Sequence, residues 1–397
     1  MQEINQKFSV PFEYKVLFTE KIFDVQNESL KSVFETESHK SAKKILCVFD
    51  EQMAAHHPDL FEKLCEYSRY HQNLFEPAQS PVIIPGGEAS KNKKAHVDQI
   101  LQAIHEGGID RHSYIMAIGG GAVIDTAGYA AGIAHRGIRI IRIPTTVLAQ
   151  NDASLGVKNG INAFGKKNFL GTFVPPYAVI NDSSFLKTLA DRDWISGISE
   201  AIKVALLKDS SFFEFLGNHA EQLKKRDMTA MQNLIYRCAE LHLEHIATSG
   251  DPFEMGSSRP LDFGHWAAHK LEQITNFELR HGEAVAIGIA LDVTYSWLQG
   301  MISQNEWKQT LDVIQQSGFK LFIPELQSKL NEPDHSDSLL HGLTEFREHL
   351  GGELTIMLLE GIGKGIEVHK VDFDIYREAI DKLAEFESVN KELLNAN

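Results

Sequence analysis

Two hydrophobic patterns divide the chain at about residue 182. Before that point, short apolar runs typical of buried strands alternate with longer amphipathic segments. The strand-like runs are 44–49, 81–84, 113–118 and 138–143, and the helical segments are 57–72 and 93–106. The lysine-bearing segment 156–168 is predicted as a loop. After it, apolar residues recur with helical spacing at 192–208, 211–224, 227–249, 263–275, 282–299 and 304–316. The pattern predicts an α/β domain with a mostly parallel sheet over residues 1–182 and an all-α domain over 183–397.

Length, composition and charge narrow the class of protein. The 397 residues allow two hydrophobic cores, because single cores seldom grow past about 250–300 residues. A net charge of -15 argues against nucleic acid as a partner. The three cysteines lack metal or redox spacing, which is typical of reduced thiols in a cytoplasmic protein. We see no signal peptide and no run near the ~20 apolar residues of a membrane helix, so we expect no membrane partner.

A glycine-rich turn follows the predicted strand 113–118. Gly119, Gly120 and Gly121 would let the backbone approach a pyrophosphate, and the helix N-terminus after them would supply amide donors. The spacing is not the common GxGxxG fingerprint, so a plain turn is the alternative. Asp50 ends the strand 44–49, where a dinucleotide ribose is often held, although many acids in this place only cap a helix.

Histidines and acids cluster between Asp262 and Glu283. His265 and His269 are spaced i,i+4, so a helix that begins near Phe263 would present both rings on one face. Taken alone, this pair fits a cation site, an anion site or two hydrogen-bonded packing residues. His281 adds a third possible nitrogen ligand. The residues therefore favour a metal site that includes His265 and His269.

Six motifs occur in a fixed order along the chain. They are Gly119-Gly-Gly-Ala-Val-Ile-Asp125, Pro144-Thr-Thr-Val-Leu-Ala-Gln150, Gly160-Ile-Asn162, Gly197-Ile-Ser-Glu-Ala-Ile-Lys203, Asp262-Phe-Gly-His265 and His281-Gly-Glu-Ala-Val-Ala-Ile-Gly288. Together they resemble the sugar phosphate cyclases, the group that contains 3-dehydroquinate synthase, from about Asp50 to Val371. The resemblance implies a Rossmann-like α/β domain before an all-α domain. It also implies NAD in the first domain and a divalent metal, zinc or alternatively cobalt.

The resemblance assigns roles to individual residues. The metal ligands fall on Glu200, His265 and His281, which places His269 beside the substrate instead. The positions that bind NAD fall on Asp50, Glu88, Lys91, Gly120, Gly121, Ala122, Val123, Asp125, Thr145, Thr146, Lys158, Lys167, Phe185 and Thr188. The substrate-facing and catalytic positions fall on Asp152, Asn168, Lys158, Lys203, His269, Asp262 and Arg136. Arg136 is expected to reach a neighbouring subunit, which implies a homodimer.

The reaction of this family explains why these residue types are needed. NAD+ takes hydride from a metal-bound secondary alcohol, and the neighbouring C–H becomes acidic so that phosphate is eliminated. NADH returns the hydride, the sugar ring opens, and an intramolecular aldol reaction closes a carbocycle. The net reaction is a lyase reaction. Lys158, Lys203, Arg136 and His269 would surround the phosphate.

The sequence departs from the 3-dehydroquinate synthase pattern where that enzyme holds a substrate carboxylate. Asp262 stands at an Asn position, Ser258 stands at an Arg position with Arg259 beside it, and the segment 243–246 contains no lysine. A carboxylate at Asp262 would repel the substrate's carboxylate by about 1 kcal/mol or more at an effective dielectric of about 20 or less.

Asp262-Phe-Gly-His265 and Phe346-Arg-Glu-His-Leu-Gly-Gly-Glu-Leu-Thr355 instead resemble the sedoheptulose 7-phosphate cyclases. We therefore hypothesise conversion of sedoheptulose 7-phosphate to a valiolone-type cyclitol. The alternatives are a 3-dehydroquinate synthase, an NAD-dependent polyol dehydrogenase and a non-catalytic descendant. His269 stands where the 2-epi-5-epi-valiolone branch typically has proline, so the product's stereochemistry is open.

Overall fold

The computed structural model describes residues 3–35, 42–72, 74–164, 166–253, 260–349 and 351–395. Ser258, Arg259 and Leu350, which belong to motifs named above, lie outside this part. The chain separates into two compact units, one of residues 1–145 and 154–185 and one of residues 146–153 and 186–397. The predicted division between 182 and 183 is three residues from the end of the first unit. The segment 146–153, predicted in the first domain, groups with the second unit.

The first unit contains nine strands and five α-helices among its described residues. The strands are β1 (Lys15–Thr19), β2 (Lys43–Asp50), β3 (Phe75–Pro77), β4 (Val82–Ile84), β5 (Tyr114–Gly119), β6 (Arg139–Pro144), β7 (Lys158–Ala163), β8 (Lys166–Phe173) and β9 (Ala178–Asp182). The helices are α1 (Ser29–Phe34), α2 (Glu51–His56), α3 (Leu60–Tyr70), α4 (Lys94–Glu106) and α5 (Gly121–Ile133).

A parallel sheet forms the centre of the first unit. Its strand order is β1-β9-β6-β5-β2-β3, and β4 also pairs with β2. Ile45, Cys47 and Phe49 of β2 pack into one core, whereas Leu46 and Val48 pack into the core on the opposite face. A strand buried on both faces reads as a continuous apolar run, which is why the sequence predicted it. Because β2 and β5 are neighbours, Asp50 lies beside the glycine turn that follows β5.

The segment that the sequence predicted as a lysine-bearing loop is a hairpin. β7 and β8 pair antiparallel, with Gly160 opposite Gly171. A Cβ on either glycine would come within 3.1 Å of a backbone oxygen on the opposite strand. Glycine and polar residues are depleted in strands, so the composition indicated a loop although the backbones pair closely.

The second unit is helical, as predicted, and also carries a two-stranded hairpin. Its described elements are α6 (Asp191–Ser196), α7 (Ile198–Lys208), α8 (Ser210–Lys224), α9 (Met228–Thr248), α10 (His265–Ile274), α11 (His281–Leu298), α12 (Gln304–Gln316), α13 (His341–His349), β10 (Ile356–Gly361), β11 (Lys364–Val368) and α14 (Phe373–Asn395). The helix predicted over 192–208 is interrupted at Gly197, whose Cβ would lie 2.4 Å from the amide nitrogen of Leu148. In the described ranges, no helix combines the length and apolar character needed to cross a membrane.

Candidate active site

Three side chains of the second unit converge on one point. Glu200 lies on α7, and His265 and His281 are the first residues of α10 and α11. Glu200 Oε1 is 3.7 Å from His265 Nε2 and 3.4 Å from His281 Nε2. Ligand atoms at zinc bond lengths around a tetrahedral ion are about 3.4 Å apart. The spacing therefore fits one metal ion held by the three residues that the family resemblance indicated.

The burial and ionisation of the Glu200 carboxylate also indicate a site for a cation beside it. Both oxygens are buried, and among the described residues neither has a partner with hydrogen-bond geometry, although Oε2 is 2.5 Å from Lys203 Nζ. Burial raises the pKa of Glu200, but Lys203 and the two imidazoles outweigh it and hold the pKa well below its usual range. A buried, ionised carboxylate without full hydrogen bonding is costly unless positive charge lies beside it.

Glycines allow the three helix starts to meet. A Cβ on Gly282 would lie 1.9 Å from the Ser196 carbonyl oxygen, so only glycine lets the first turn of α11 approach the chain just before α7. Gly264 precedes α10 with a φ of 76°, and a Cβ on Gly288 would lie 2.1 Å from its carbonyl oxygen. Such close approach needs residues without side chains.

Hydrogen bonds orient both imidazoles. His265 Nδ1 is 3.1 Å from the Phe263 carbonyl oxygen, so a proton on Nδ1 leaves the Nε2 lone pair toward Glu200. His281 Nδ1 is 3.5 Å from both carboxylate oxygens of Glu272, a buried acid. Burial and the nearby Lys203 lower the pKa of His265, which favours the neutral form that binds metals.

His269 lies beside this cluster. Its ring centroid is 5.5 Å from that of His265 and 6.1 Å from that of His281. Within the described residues, His269 belongs to a second possible metal-binding group, with Glu272 and His281, but no such group contains both His265 and His269. The structure therefore does not support the pairing inferred from i,i+4 spacing alone: the carboxylate that completes the first group lies on another helix and faces His265 and His281.

Lys203 connects Glu200 to two further acids, Asp152 and Asp262, and a histidine contacts one of these acids. Burial alone would lower the pKa of Lys203, but Glu200 and Asp152 raise it above its ordinary value, and Asp262 contributes in the same direction. His242 on α9 places Nδ1 2.9 Å from Asp152 Oδ1. Sequence reasoning missed His242, because a histidine of the long helix 227–249 that belongs to none of the six motifs gives no local signal of a site.

In the first unit, the predicted nucleotide residues include Asp50 and the glycine turn. Asp50 caps α2, since Oδ1 accepts hydrogen bonds from the amides of Gln52 at 2.9 Å and Met53 at 3.2 Å. The helix-capping alternative raised for Asp50 is thus observed. Burial raises its pKa. Gly120 is the extended residue before α5, whose first turn contains Gly121, Ala122 and Val123.

Five other predicted residues of the first unit lie together, namely Glu88, Lys91, Asp125, Lys167 and Asn168. Lys91 Nζ donates to Asp125 Oδ2 at 2.7 Å and to the Asn168 side chain. Lys167 Nζ is 3.6 Å from Glu88 Oε1. The β7–β8 hairpin therefore brings Lys167 to Glu88 and Asn168 to the Lys91–Asp125 pair, although the sequence predicted a loop there.

The remaining predicted residues are more dispersed. Lys158 is exposed at the start of β7, Phe185 is buried, and the Thr145 amide donates to the Gly119 carbonyl at 3.0 Å. In the second unit, Thr146 Oγ1 accepts from the Ala149 amide at 3.2 Å, and Thr188 is exposed.

Arg136 follows the C-terminal end of α5. The helix has 13 residues, so Arg136 lies about 20 Å along the helix axis from the glycine turn at the other end of α5. It is exposed and has a φ of 63°. A single copy of the first unit does not bring Arg136 to that turn.

The first unit is a parallel sheet in which a glycine turn follows a strand, and the helical second unit carries a Glu-His-His cluster. This combination can be compared with families of known proteins. The model of the 3-dehydroquinate synthase N-terminal region matches residues 81–196, and that of the C-terminal region matches residues 197–335. A 3-dehydroquinate synthase of Alkaliphilus metalliredigens (strain QYMF) is 33% identical over 328 residues, covering 82% of this chain and 86% of the relative. The chain belongs to the 3-dehydroquinate synthase family.

Solved structures extend the similarity to other sugar phosphate cyclases. A 2-epi-5-epi-valiolone synthase from Streptomyces hygroscopicus subsp. jinggangensis 5008, with NAD+ and Zn2+ bound, has a TM-score of 0.84 and 28% identity. The match covers 96% of this chain and 99% of that chain. A 2-deoxy-scyllo-inosose synthase complexed with carbaglucose-6-phosphate, NAD+ and Co2+ shares the fold, with a TM-score of 0.73, 22% identity and coverage of 92% and 95%. The predicted fold class and the predicted membership of the sugar phosphate cyclases are confirmed.

Proposed function

We propose that this cyclase converts sedoheptulose 7-phosphate to a valiolone-type cyclitol, using NAD and a divalent metal ion. Phosphate is lost through oxidation, β-elimination, reduction and intramolecular aldol closure. The observation that carries the choice of substrate is the place of Asp262 at the start of α10, where its carbonyl oxygen accepts a hydrogen bond from the His265 amide at 3.0 Å. Its carboxylate is near enough to Lys203 to raise the pKa of that lysine. The similarity to a valiolone synthase with NAD+ and Zn2+ supports the same choice.

The metal-binding residues in this proposal are Glu200, His265 and His281. Their spacing fits a zinc or cobalt ion with coordination positions left for substrate oxygens. When bound there, such an ion would make a substrate hydroxyl more acidic and would polarise a carbonyl group. Within the second unit, Lys203 and His269 provide positive charge or hydrogen-bond donors for the departing phosphate. Asp152 holds His242 and accepts hydrogen bonds from hydroxyl groups.

The first unit binds NAD in this proposal. The N-terminus of α5 with Gly120 and Gly121 fits the pyrophosphate, because amide donors and the helix dipole favour negative charge. Asp50 at the adjacent strand end fits the ribose. Lys91 and Lys167, with Glu88 and Asp125, form the polar group next to this turn.

Asp262 distinguishes the two heptulose phosphates. Its negative charge would repel the C1 carboxylate of the 3-dehydroquinate synthase substrate by about 1 kcal/mol or more at an effective dielectric of about 20 or less, which is at least a several-fold effect on binding. The same oxygens accept hydrogen bonds from a hydroxymethyl group. The second candidate is 3-dehydroquinate synthase. The 33% identity to the 3-dehydroquinate synthase of Alkaliphilus metalliredigens favours this candidate.

The deciding experiment supplies metal-loaded protein and NAD+ with either sedoheptulose 7-phosphate or the carboxylated heptulosonate 7-phosphate. We expect phosphate release from the first sugar, no net NADH absorbance, and a new cyclitol by NMR. Asp262→Asn should narrow the preference between the two sugars. Preferential turnover of the carboxylated sugar by the unmodified protein would establish the second candidate, and net NADH formation would indicate a polyol dehydrogenase.

A further inference from the structure

A buried acid interrupts the apolar face of α11. Asp292 is fully buried between Leu291 and Val293, which are also buried. A carboxyl group in such a place is costly unless donors satisfy its oxygens. Three donors do so. Oδ2 accepts from the Gly264 amide at 3.1 Å, and Oδ1 accepts from Trp266 Nε1 at 3.0 Å and from the Tyr376 hydroxyl at 2.9 Å.

Two of these donors flank His265 in the chain. Gly264 is the residue before it and Trp266 the residue after it, so Asp292 holds the residues on both sides of His265. Gly264 has a φ of 76°, a conformation that must be held for α10 to begin at His265. Asp292 also lies on the helix whose first residue is His281. It therefore links the turn that carries one proposed ligand to the helix that carries another.

The third donor comes from the C-terminal helix. Tyr376 on α14 packs its ring 4.9 Å from that of Trp266 and 4.3 Å from that of Tyr295. Tyr295 belongs to the same aromatic stack, but its hydroxyl accepts from the Asp372 amide at 3.0 Å. The two tyrosines thus differ in whether their hydroxyl reaches Asp292.

We propose that Asp292 is a positioning residue for the metal site: with Tyr376 it holds the start of α10 so that His265 Nε2 lies at ligand spacing from Glu200 and His281. This inference rests on the proposed metal site. Partners beyond the metal ligands typically contribute 10–100-fold to metal affinity when removed one at a time, which is about the effect expected here.

The test compares zinc affinity, by competition with a chelator, in the unmodified protein, Asp292→Asn, Tyr376→Phe and the matched control Tyr295→Phe. We expect affinity to fall about 10–100-fold in the first two variants and to change less than about threefold in the control. Cobalt-loaded Asp292→Asn and Tyr376→Phe should also show altered visible spectra. Denaturant unfolding of the metal-free variants, followed by tryptophan fluorescence, measures any loss of stability separately.

Three other outcomes would contradict the inference. Unchanged zinc affinity in Tyr376→Phe and Asp292→Asn, with lower stability, would mean that Asp292 only supports the core. Equal weakening in Tyr295→Phe would mean that the aromatic stack, and not Asp292, matters. Failure of the unmodified protein to bind zinc more tightly than Glu200→Gln would overturn the proposed metal site itself, and this inference with it.

Discussion

At the residue scale, buried charge determines what the second unit can hold. Glu200 is fully buried and ionised, and the positive charge of Lys203 lies on one side of it with the two imidazoles on the other. Asp152 and Asp262 add negative charge near Lys203. The cluster therefore has more acidic oxygens than Lys203 alone can balance, which suits a divalent cation.

Asp292 should make the stability of the second unit depend on pH. Burial raises its pKa to about 7, against about 3.9 in an unfolded chain. Between these values the folded state keeps a proton that the unfolded state has released, so stability falls as pH rises from about 4 to about 7. The facing groups are the Tyr376 hydroxyl, the Trp266 indole and the Gly264 amide, and the pKa of Tyr376 is raised well above its usual value.

The measurement is denaturant unfolding of metal-free protein between pH 5 and about 8, followed by tryptophan fluorescence, for the unmodified chain and Asp292→Asn. All four tryptophans lie after residue 186, so the signal reports on the second unit. The stability difference between the two proteins should shift by about 2–3 kcal/mol from pH 5 to about 7 and then level off. If the free energies of unfolding of the two proteins changed with pH in parallel, the predicted titration of Asp292 would be contradicted.

At the element scale, the site is made where helices begin. His265 and His281 are the first residues of α10 and α11, and Glu200 lies in the first turn of α7. The positive end of a helix dipole disfavours a protonated imidazole and favours a carboxylate. The position at a helix start therefore acts with burial to favour a neutral His265, and it favours a charged Glu200, as metal ligands must be.

Gly282→Ala tests how closely the first turn of α11 must approach the residues before α7. The new methyl group would lie 1.9 Å from the Ser196 carbonyl oxygen, so the backbone must move and His281 with it. We expect loss of zinc affinity by more than about tenfold and destabilisation of about 1–3 kcal/mol, as for other overpacked sites. Chelator competition and denaturant unfolding measure the two effects.

Gly217→Ala on α8 is the matched control for that substitution. Its methyl group would meet only the Val313 side chain, at 3.2 Å, and alanine is favoured over glycine inside a helix by about 1 kcal/mol. Zinc affinity should be unchanged in this variant. If Gly282→Ala also binds zinc normally, the close contact with Ser196 does not position His281.

At the scale of the whole molecule, the local charge differs from the overall charge. The chain has a net charge of -15, yet Lys158 and Arg136 are exposed cations on the first unit. A sugar phosphate substrate is attracted by such groups at short range, because screening reduces the field of charges more than about 8–10 Å away. Acidic composition is therefore compatible with an anionic substrate.

The proposed homodimer, with Arg136 acting in the site of a second copy, can be tested by mixing variants. Arg136→Ala and Glu200→Gln should each be inactive as pure proteins. After the subunits exchange, half of the dimers are mixed, and one of the two sites in each mixed dimer has both residues intact. Phosphate release should then recover to about a quarter of the unmodified level.

As the control, Arg136→Ala subunits are exchanged only with one another, and phosphate release should not recover. No recovery in the mixture, with exchange demonstrated by size and tag capture, would place Arg136 in the site of its own chain or outside any site.

The sequence by itself determined the elements with strong periodicity. β2 and β5 were predicted because strands buried on both faces are apolar throughout, and α9 and α12 because their apolar residues repeat at helical spacing over several turns. The family resemblance supplied Glu200 with His265 and His281, and the structure gathers these three. Spacing alone had paired His265 with His269 instead.

Only the tertiary structure decided the rest, because close contacts between distant segments carry no local signal. The β7–β8 hairpin depends on Gly160 opposing Gly171, and the break before α7 depends on Gly197 meeting Leu148. His242 and Asp292 look like isolated polar residues in helical segments until Asp152 and the start of α10 are packed against them. Local sequence sets the period of each element, whereas packing brings side chains from separate helices within ligand distance.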